Sequence, residues 1–288
     1  MRQPLAADAE GAAETGCVFD AAETGYVFDN DNAHSREQHR CLAEAYDPLT
    51  LGRLVETGVT RGWRCLEVGS GGGTVARWLA DRVAPTGEVV ATDIKPHHIT
   101  DRPGMVVLRH DVTTDPLPEA AFDLIVARLV LRHLPDRQAV LDKLVAALKP
   151  GGWLQIDEFD TSYEPLLLAP DAHAAQLYRA FLRAKCAVMR AAGVDPQWGR
   201  HVPAALRAAG LVAIDPRPHI TSWHAGSAGL RLAVHHTYHL RDELIAAGMT
   251  EQQLDEVRTL LRDPSFRAAS SVMYSVQGRR PGAEEAAL

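Results

Sequence analysis

The sequence predicts an α/β fold, a mostly parallel, doubly wound sheet covered by helices on both faces and topped by a helical cap. Three observations carry that prediction. Short apolar runs alternate with amphipathic stretches between about residues 63 and 160. A glycine-rich loop joins the first run to the helix that follows it. After Asp160 the rhythm breaks and a long helical stretch begins. Strand–helix alternation of this kind builds parallel βαβ units.

The elements follow in order. Residues 12–20 and 21–29 are near-identical nine-residue copies, AAETGCVFD and AAETGYVFD. A repeat this short does not make a solenoid, so residues 1–29 are expected to be a tail, with the second copy a candidate lid. From Asn30 the pattern is helical. Asp47-Pro48 predicts an interruption there, with Asp47 as N-cap and Pro48 as the first residue of a new helix. Residues 63–69 (WRCLEVG) read as a buried strand and residues 73–84 as a helix. Strands are expected at 88–94, 104–111 and 122–128. Residues 137–149 form an amphipathic helix bearing Val140, Leu141, Leu144, Val145 and Leu148 on one side. Pro150-Gly151-Gly152 ends it, and a fifth strand covers 153–159. Residues 171–193 read as one long helix, a cap over the carboxyl edge of the sheet, inserted at about 160–200. A helix (202–209), a strand (211–220), a helix (227–247) and a strand (270–277) are expected to complete the sheet. The domain thus runs 30–278, with a tail at 279–288.

Composition bounds the function. The 288 residues are 46% hydrophobic and 23% charged, a globular balance. With 30 Lys+Arg against 37 Asp+Glu, the net charge is −7. A nucleic-acid binder needs a basic footprint, so none is expected. No apolar run reaches the ~18 residues of a membrane span, and the N-terminus has no apolar core of a signal peptide. Cys17, Cys41, Cys65 and Cys186 are far apart, as in a reducing compartment. The expectation is a cytoplasmic enzyme or binding protein, with a homodimer left open.

The loop Glu67-Val68-Gly69-Ser70-Gly71-Gly72-Gly73 is the central feature. In an open parallel sheet, ligands sit outside the carboxyl ends of the strands, and glycines let a ligand approach the backbone closely. Two cofactors compete for such a loop. A nicotinamide fingerprint requires a third glycine where Thr74 stands. Gly69, Gly71 and Gly73 instead give G-x-G-x-G, preceded by Glu67, and a carboxylate there suits an ammonium group. Asp93 ends the second strand and can accept from both hydroxyls of a ribose, followed by Ile94. Asp111 ends the third and can accept from an adenine amino group, with Val112 as apolar contact.

These motifs resemble those of the class I S-adenosylmethionine-dependent methyltransferases. Leu66–Gly73, Ala91-Thr92-Asp93, His110-Asp111-Val112, Phe122–Ile125 with Leu131-Arg132-His133-Leu134-Pro135, and Leu148–Leu154 match the family's successive motifs. The likeness covers residues 30–160 well and the rest loosely; its nearest flavour is the small-molecule methyltransferases of bacterial secondary metabolism. It implies a Rossmann-like sheet of seven strands with an antiparallel last strand. It also implies S-adenosyl-L-methionine as cofactor, stretched across Glu67, Asp93 and Asp111. The full expected donor set is Glu67, Gly69, Ser70, Gly71, Asp93, Ile94, Asp111, Val112, Arg128 and Tyr26. The acceptor is expected to be a small molecule, aromatic (indole or phenol) in character, methylated at O, N or C.

Methyl transfer needs a base only where the acceptor must lose a proton. Glu158, just past the fifth strand, is the first candidate for that role. His133, after the fourth strand, and His201, at the start of a late helix, are the others. His235, His236 and His239 lie at helical spacing, but no nearby Cys completes a metal set, so a pocket-lining or solvated face is expected and no metal. Tyr26, Phe28 and Trp223 are candidates for an aromatic wall near a sulfonium. Two other readings stand: an NAD-linked oxidoreductase on a similar sheet, and a methyltransferase-like fold that holds its cofactor structurally.

Overall fold

The computed structural model describes residues 27–282. Helix α1 (Ser35–Glu56) leads into β1 (Arg64–Val68), α2 (Thr74–Val83), β2 (Glu88–Asp93), β3 (Met105–Arg109) and β4 (Phe122–Arg128). A 3₁₀ turn (Leu131–His133) precedes α3 (Arg137–Ala147) and β5 (Leu148–Asp160). Then come β6 (Leu166–Leu168), α4 (Ala172–Ala191), α5 (Trp198–Ala208), β7 (Val212–His219) and β8 (Ser222–His224). The chain closes with α6 (Ala228–His239), α7 (Arg241–Ala246), α8 (Glu251–Leu260), β9 (Arg267–Ala269) and β10 (Val272–Arg279).

Seven strands form the main sheet in the order β3-β2-β1-β4-β5-β10-β7. β1 to β5 run parallel, and β10 is antiparallel to both β5 and β7. The order reverses between β1 and β4, the switch point at which strand ends open a crevice. Both faces are covered. Leu54 of α1 and Val75, Leu79 and Val83 of α2 pack on one face. Val140, Leu141 and Leu144 of α3 and Val202 and Leu206 of α5 pack on the other. The doubly wound sheet read from the sequence is the sheet observed.

Two expectations are corrected. Pro48 lies inside α1, which runs unbroken from 35 to 56. An interior proline costs a helix about 3 kcal/mol, but here both sides of it are anchored. Asp47 does not cap; its carboxylate pairs with the Arg128 guanidinium at 2.7 Å. Two residues beyond Pro48, Thr50 donates to the buried Asp157 carboxylate at 2.6 Å.

The cap is the second correction. It is not one insertion at 160–200 but two separate stretches. α4 supplies Leu177, Tyr178 and Phe181; α6, α7 and α8 supply Leu230, Val234, Leu244, Leu254 and Val257; Phe266 joins them in one apolar cluster. The expected helix over 227–247 breaks at Leu240 into α6 and α7. A second, antiparallel sheet of three short strands, β6-β9-β8, closes the cap.

Candidate active site

The loops after β1, β2 and β3 enclose a cavity of about 310 Å³, within the usual range for small-ligand sites. Gly69 and Gly71 have φ of +66° and +52°, a left-handed backbone that disfavours other residues. The space is also taken: a Cβ on Gly69 would sit 2.4 Å from Val130 Cγ2, and one on Gly71 would sit 2.8 Å from the His39 ring. Glu67 is buried at the end of β1 and accepts from the Ala76 N–H at 2.8 Å, near the start of α2. Burial pushes its carboxyl up to about 7.

Asp93, at the end of β2, is the hub of the cavity. Its Oδ2 accepts from Gly71 N–H at 2.9 Å. Its Oδ1 accepts from Lys95 N–H at 2.9 Å and from Asn30 Nδ2 at 3.2 Å. A carboxylate offers about four acceptor positions, so one remains for a ligand hydroxyl without any rearrangement. A second opens if Asn30 lets go. Asn30 is buried, its Oδ1 lies 2.9 Å from His39 Nε2, and its carbonyl accepts from Ser35 Oγ at 2.7 Å. The segment before α1 thereby roofs the glycine loop. Asp111 is folded back on itself, its Oδ1 accepting from Thr113 N–H and Oγ1 at 2.8 and 2.6 Å. Arg128 lines the cavity while its guanidinium is held by Asp47 and Thr50.

A second cavity of about 460 Å³ lies beneath the cap. Its walls carry Phe28, Tyr46, Phe159, Tyr178 and Trp223, along with Leu182, Met189 and His236. Tyr46 meets Phe159 edge-on at 5.2 Å and Trp223 at 6.2 Å. The two cavities share four wall residues: His39, Leu42, Leu129 and His133. They are therefore adjoining chambers. Leu129, at this junction, holds a left-handed φ of +58°. Such a conformation costs a leucine roughly 1–3 kcal/mol and clusters at functional sites. His39 and His133 are both neutral at pH 7. Burial first, then neighbouring cations, pushes His39 down to about 4 and His133 to about 3.

A family profile described as a methyltransferase domain matches residues 66–154. That stretch spans β1 to β5 and so includes every loop around the first cavity except the roof. Residues 66–154 are a methyltransferase domain of the class I, S-adenosylmethionine-dependent type. Among curated proteins, Methyltransferase str2 of Strobilurus tenacellus is 35% identical over 141 residues, covering 48% of this chain and 49% of that protein. The ubiquinone/menaquinone biosynthesis C-methyltransferase UbiE of Cupriavidus necator is 32% identical over 129 residues, covering 42% and 53%. The chain thus spans about half the length of the curated relatives it matches. A solved Bacillus halodurans structure, described as that of a candidate methyltransferase, superposes with a TM-score of 0.51 at 15% identity. It covers 80% of this chain and 98% of that one, and supports the fold. No helix among the described residues is long and apolar enough to cross a membrane.

Of the expected donor residues, Glu67, Gly69, Ser70, Gly71, Asp93, Ile94, Asp111, Val112 and Arg128 all line the first cavity. Tyr26 lies outside the described residues. Phe28 departs from expectation: it closes the second cavity, against His236 at 4.7 Å, rather than the first. Of the catalytic candidates, only His133 is on a cavity wall.

Glu158 is a correction. It is fully buried, on neither wall, and its Oε1 accepts from the Val130 and Arg132 N–H groups at 3.0 and 3.2 Å. It braces the turn after β4 from below, off the wall of either cavity. His201 is a second correction, half-exposed on α5 beside Asp195 at 3.6 Å. His235 and His239 turn to His34 and Gln38, and His236 faces the second cavity. Asn30, His39 and Arg132 were missed. Asn30 and His39 precede the recognisable motifs, and no local pattern marks a residue that folds back onto a distant loop.

Proposed function

We propose that this chain moves a methyl group from S-adenosylmethionine to a small-molecule acceptor held beneath the cap. The observation that carries this reading is the pair of adjoining cavities with shared walls at His39, Leu42, Leu129 and His133. One has the glycine loop and strand-end acids; the other is walled by aromatic side chains. Str2 and UbiE are methyltransferases by name, the latter a C-methyltransferase of quinone biosynthesis. That supports an aromatic or otherwise small acceptor of the secondary-metabolite kind.

In this reading the donor supplies a methyl carbon already activated by a sulfonium. Asp93 would hold ribose hydroxyls, Val112 and Asp111 would flank the adenine, and Glu67 would face the ammonium. The Asn30 roof keeps water from the loop. His39 and His133 flank the junction as neutral rings, able to orient an acceptor N–H or O–H but weak as bases. The rate then rests mainly on alignment across the shared wall, which can supply about 7–11 kcal/mol. The test is calorimetric titration with S-adenosylmethionine and, separately, with NAD. Micromolar binding of the first and none of the second is expected. The reverse result would make the chain an oxidoreductase.

A further inference from the structure

We infer that the acceptor carries a carboxylate, and that Arg132 in the cap cavity is the residue that receives it. The inference deepens the reading of the second cavity as an acceptor site and rests on it.

Arg132 is only 4% exposed and lines that cavity. Its guanidinium carbon lies 5.8 Å from the centre of the Phe159 ring, on the same wall. Its Nε is buried and has no hydrogen-bond partner. A buried, always-charged group without a partner is costly, and a structure that keeps one is open to a ligand that completes it. The nearby acids are engaged elsewhere. Glu158 is the first of the acids whose charge acts on the guanidinium, but its hydrogen bond goes to the backbone N–H of Arg132. Glu164 accepts from Ser271 Oγ, and Lys185 Nζ donates to it at 3.5 Å.

The rest of the wall has the same sign. Arg183, Lys185 and Arg190 line the cavity with Arg132, against Glu164 as the one acid among the described residues. This is a positive chamber in a chain whose net charge is −7. A field of that sign draws in anions. The planar guanidinium fork matches a carboxylate in shape. The aromatic walls would hold the remainder of such a molecule.

The test compares aromatic acids with their uncharged amides. Benzoate, phenylacetate and indole-3-acetate, each beside its amide, are titrated calorimetrically into the full chain, with and without S-adenosylhomocysteine. At least one acid should bind tenfold or more tighter than its amide. Arg132→Met should abolish that preference, and Arg132→Lys, which keeps the charge but not the fork, should reduce it threefold or more. Equal binding of every pair, no binding of any acid, or a preference unchanged in both variants overturns the inference. If Arg132→Met does not fold, an unchanged preference in Arg132→Lys is sufficient to overturn it. Absence of S-adenosylhomocysteine binding would instead count against the donor site, and the acid-to-amide ratio without it still reads the acceptor cavity alone.

Discussion

The two chambers are built on opposite plans. The donor cavity is made by backbone: glycines at the end of β1 and single acids at the ends of β2 and β3, each delivered to one edge because parallel strands end together. The cap cavity is made by side chains from α1, α4 and α6 that meet only in three dimensions. The first plan fixes a chemistry in a few adjacent residues. The second fixes a shape through long-range packing, with Arg132, Tyr46 and Trp223 on its walls.

That contrast is sharpest where variants should affect one chamber and spare the other. Phe181 is fully buried at the centre of the cap cluster. Phe181→Ala should cost about 3–5 kcal/mol of stability in denaturant unfolding, with donor affinity in the folded fraction kept within a few-fold. A large loss of donor affinity would mean that the chambers are not separable. Gly71→Val strikes the other plan, combining a φ of +52° with a 2.8 Å clash on His39. It should weaken S-adenosylmethionine binding by roughly 100-fold or more, about 2.7 kcal/mol, with the protein still folded by circular dichroism. Asp93→Ala removes charge-assisted hydrogen bonds worth about 1.5–3 kcal/mol each and releases Asn30 as well. Calorimetry should read a tenfold or greater loss; unchanged affinity would put the adenosine elsewhere.

Glu158 lies under the boundary between the chambers and gives the smallest effect. Burial holds its carboxyl up, to about 7 against an ordinary 4.5. A pKa raised by folding favours the protonated, folded form, so this contribution to stability is complete below about pH 4.5 and is lost as pH rises through about 7. Glu158→Gln keeps an acceptor oxygen for the Val130 and Arg132 N–H groups and does not titrate. Its melting temperature relative to the parent should therefore rise between pH 5 and pH 8, by a stability on the order of 1–3 kcal/mol. Turnover should stay within about threefold. A hundredfold fall in turnover would restore Glu158 as a base.

The residues around the first cavity were legible in the sequence because their signals are local. Glu67, Asp93 and Asp111 each end an apolar run, and a strand's direction carries its last residue to the ligand edge. The sheet was legible for the same reason. The cap was not. β6, β8 and β9 are three residues each, too short to show a period. α8 did carry a readable signal, the capping box of Thr250 with Gln253, which was passed over. Pro48 misled because the propensity rule sees a proline and not the tertiary contacts of Asp47 and Thr50. Glu158 misled because strand direction gives the edge a residue reaches, not the side to which it turns. Asn30 has no sequence pattern, and Arg132, though it stands in the motif Leu131–Pro135, has none that gives its side chain a role.

The position of β10 has a consequence for how the chain is made. It is the last strand in the chain among the described residues, yet it is paired on both sides, with β5 and with β7. Among the described residues β7 has no other neighbour in the sheet, and its prolines, Pro216 and Pro218, suit an outer edge. Roughly fifty residues of cap separate the two partners in sequence. A growing chain emerges N-terminus first, so β7 waits unpaired, and the edge of β5 lies open, until residues 272–279 arrive. The cap must be made, and its ends brought together, before either strand can be enrolled. Loss of the final strand would thus remove two strands from the sheet and expose a long apolar edge of the kind that pairs with other chains.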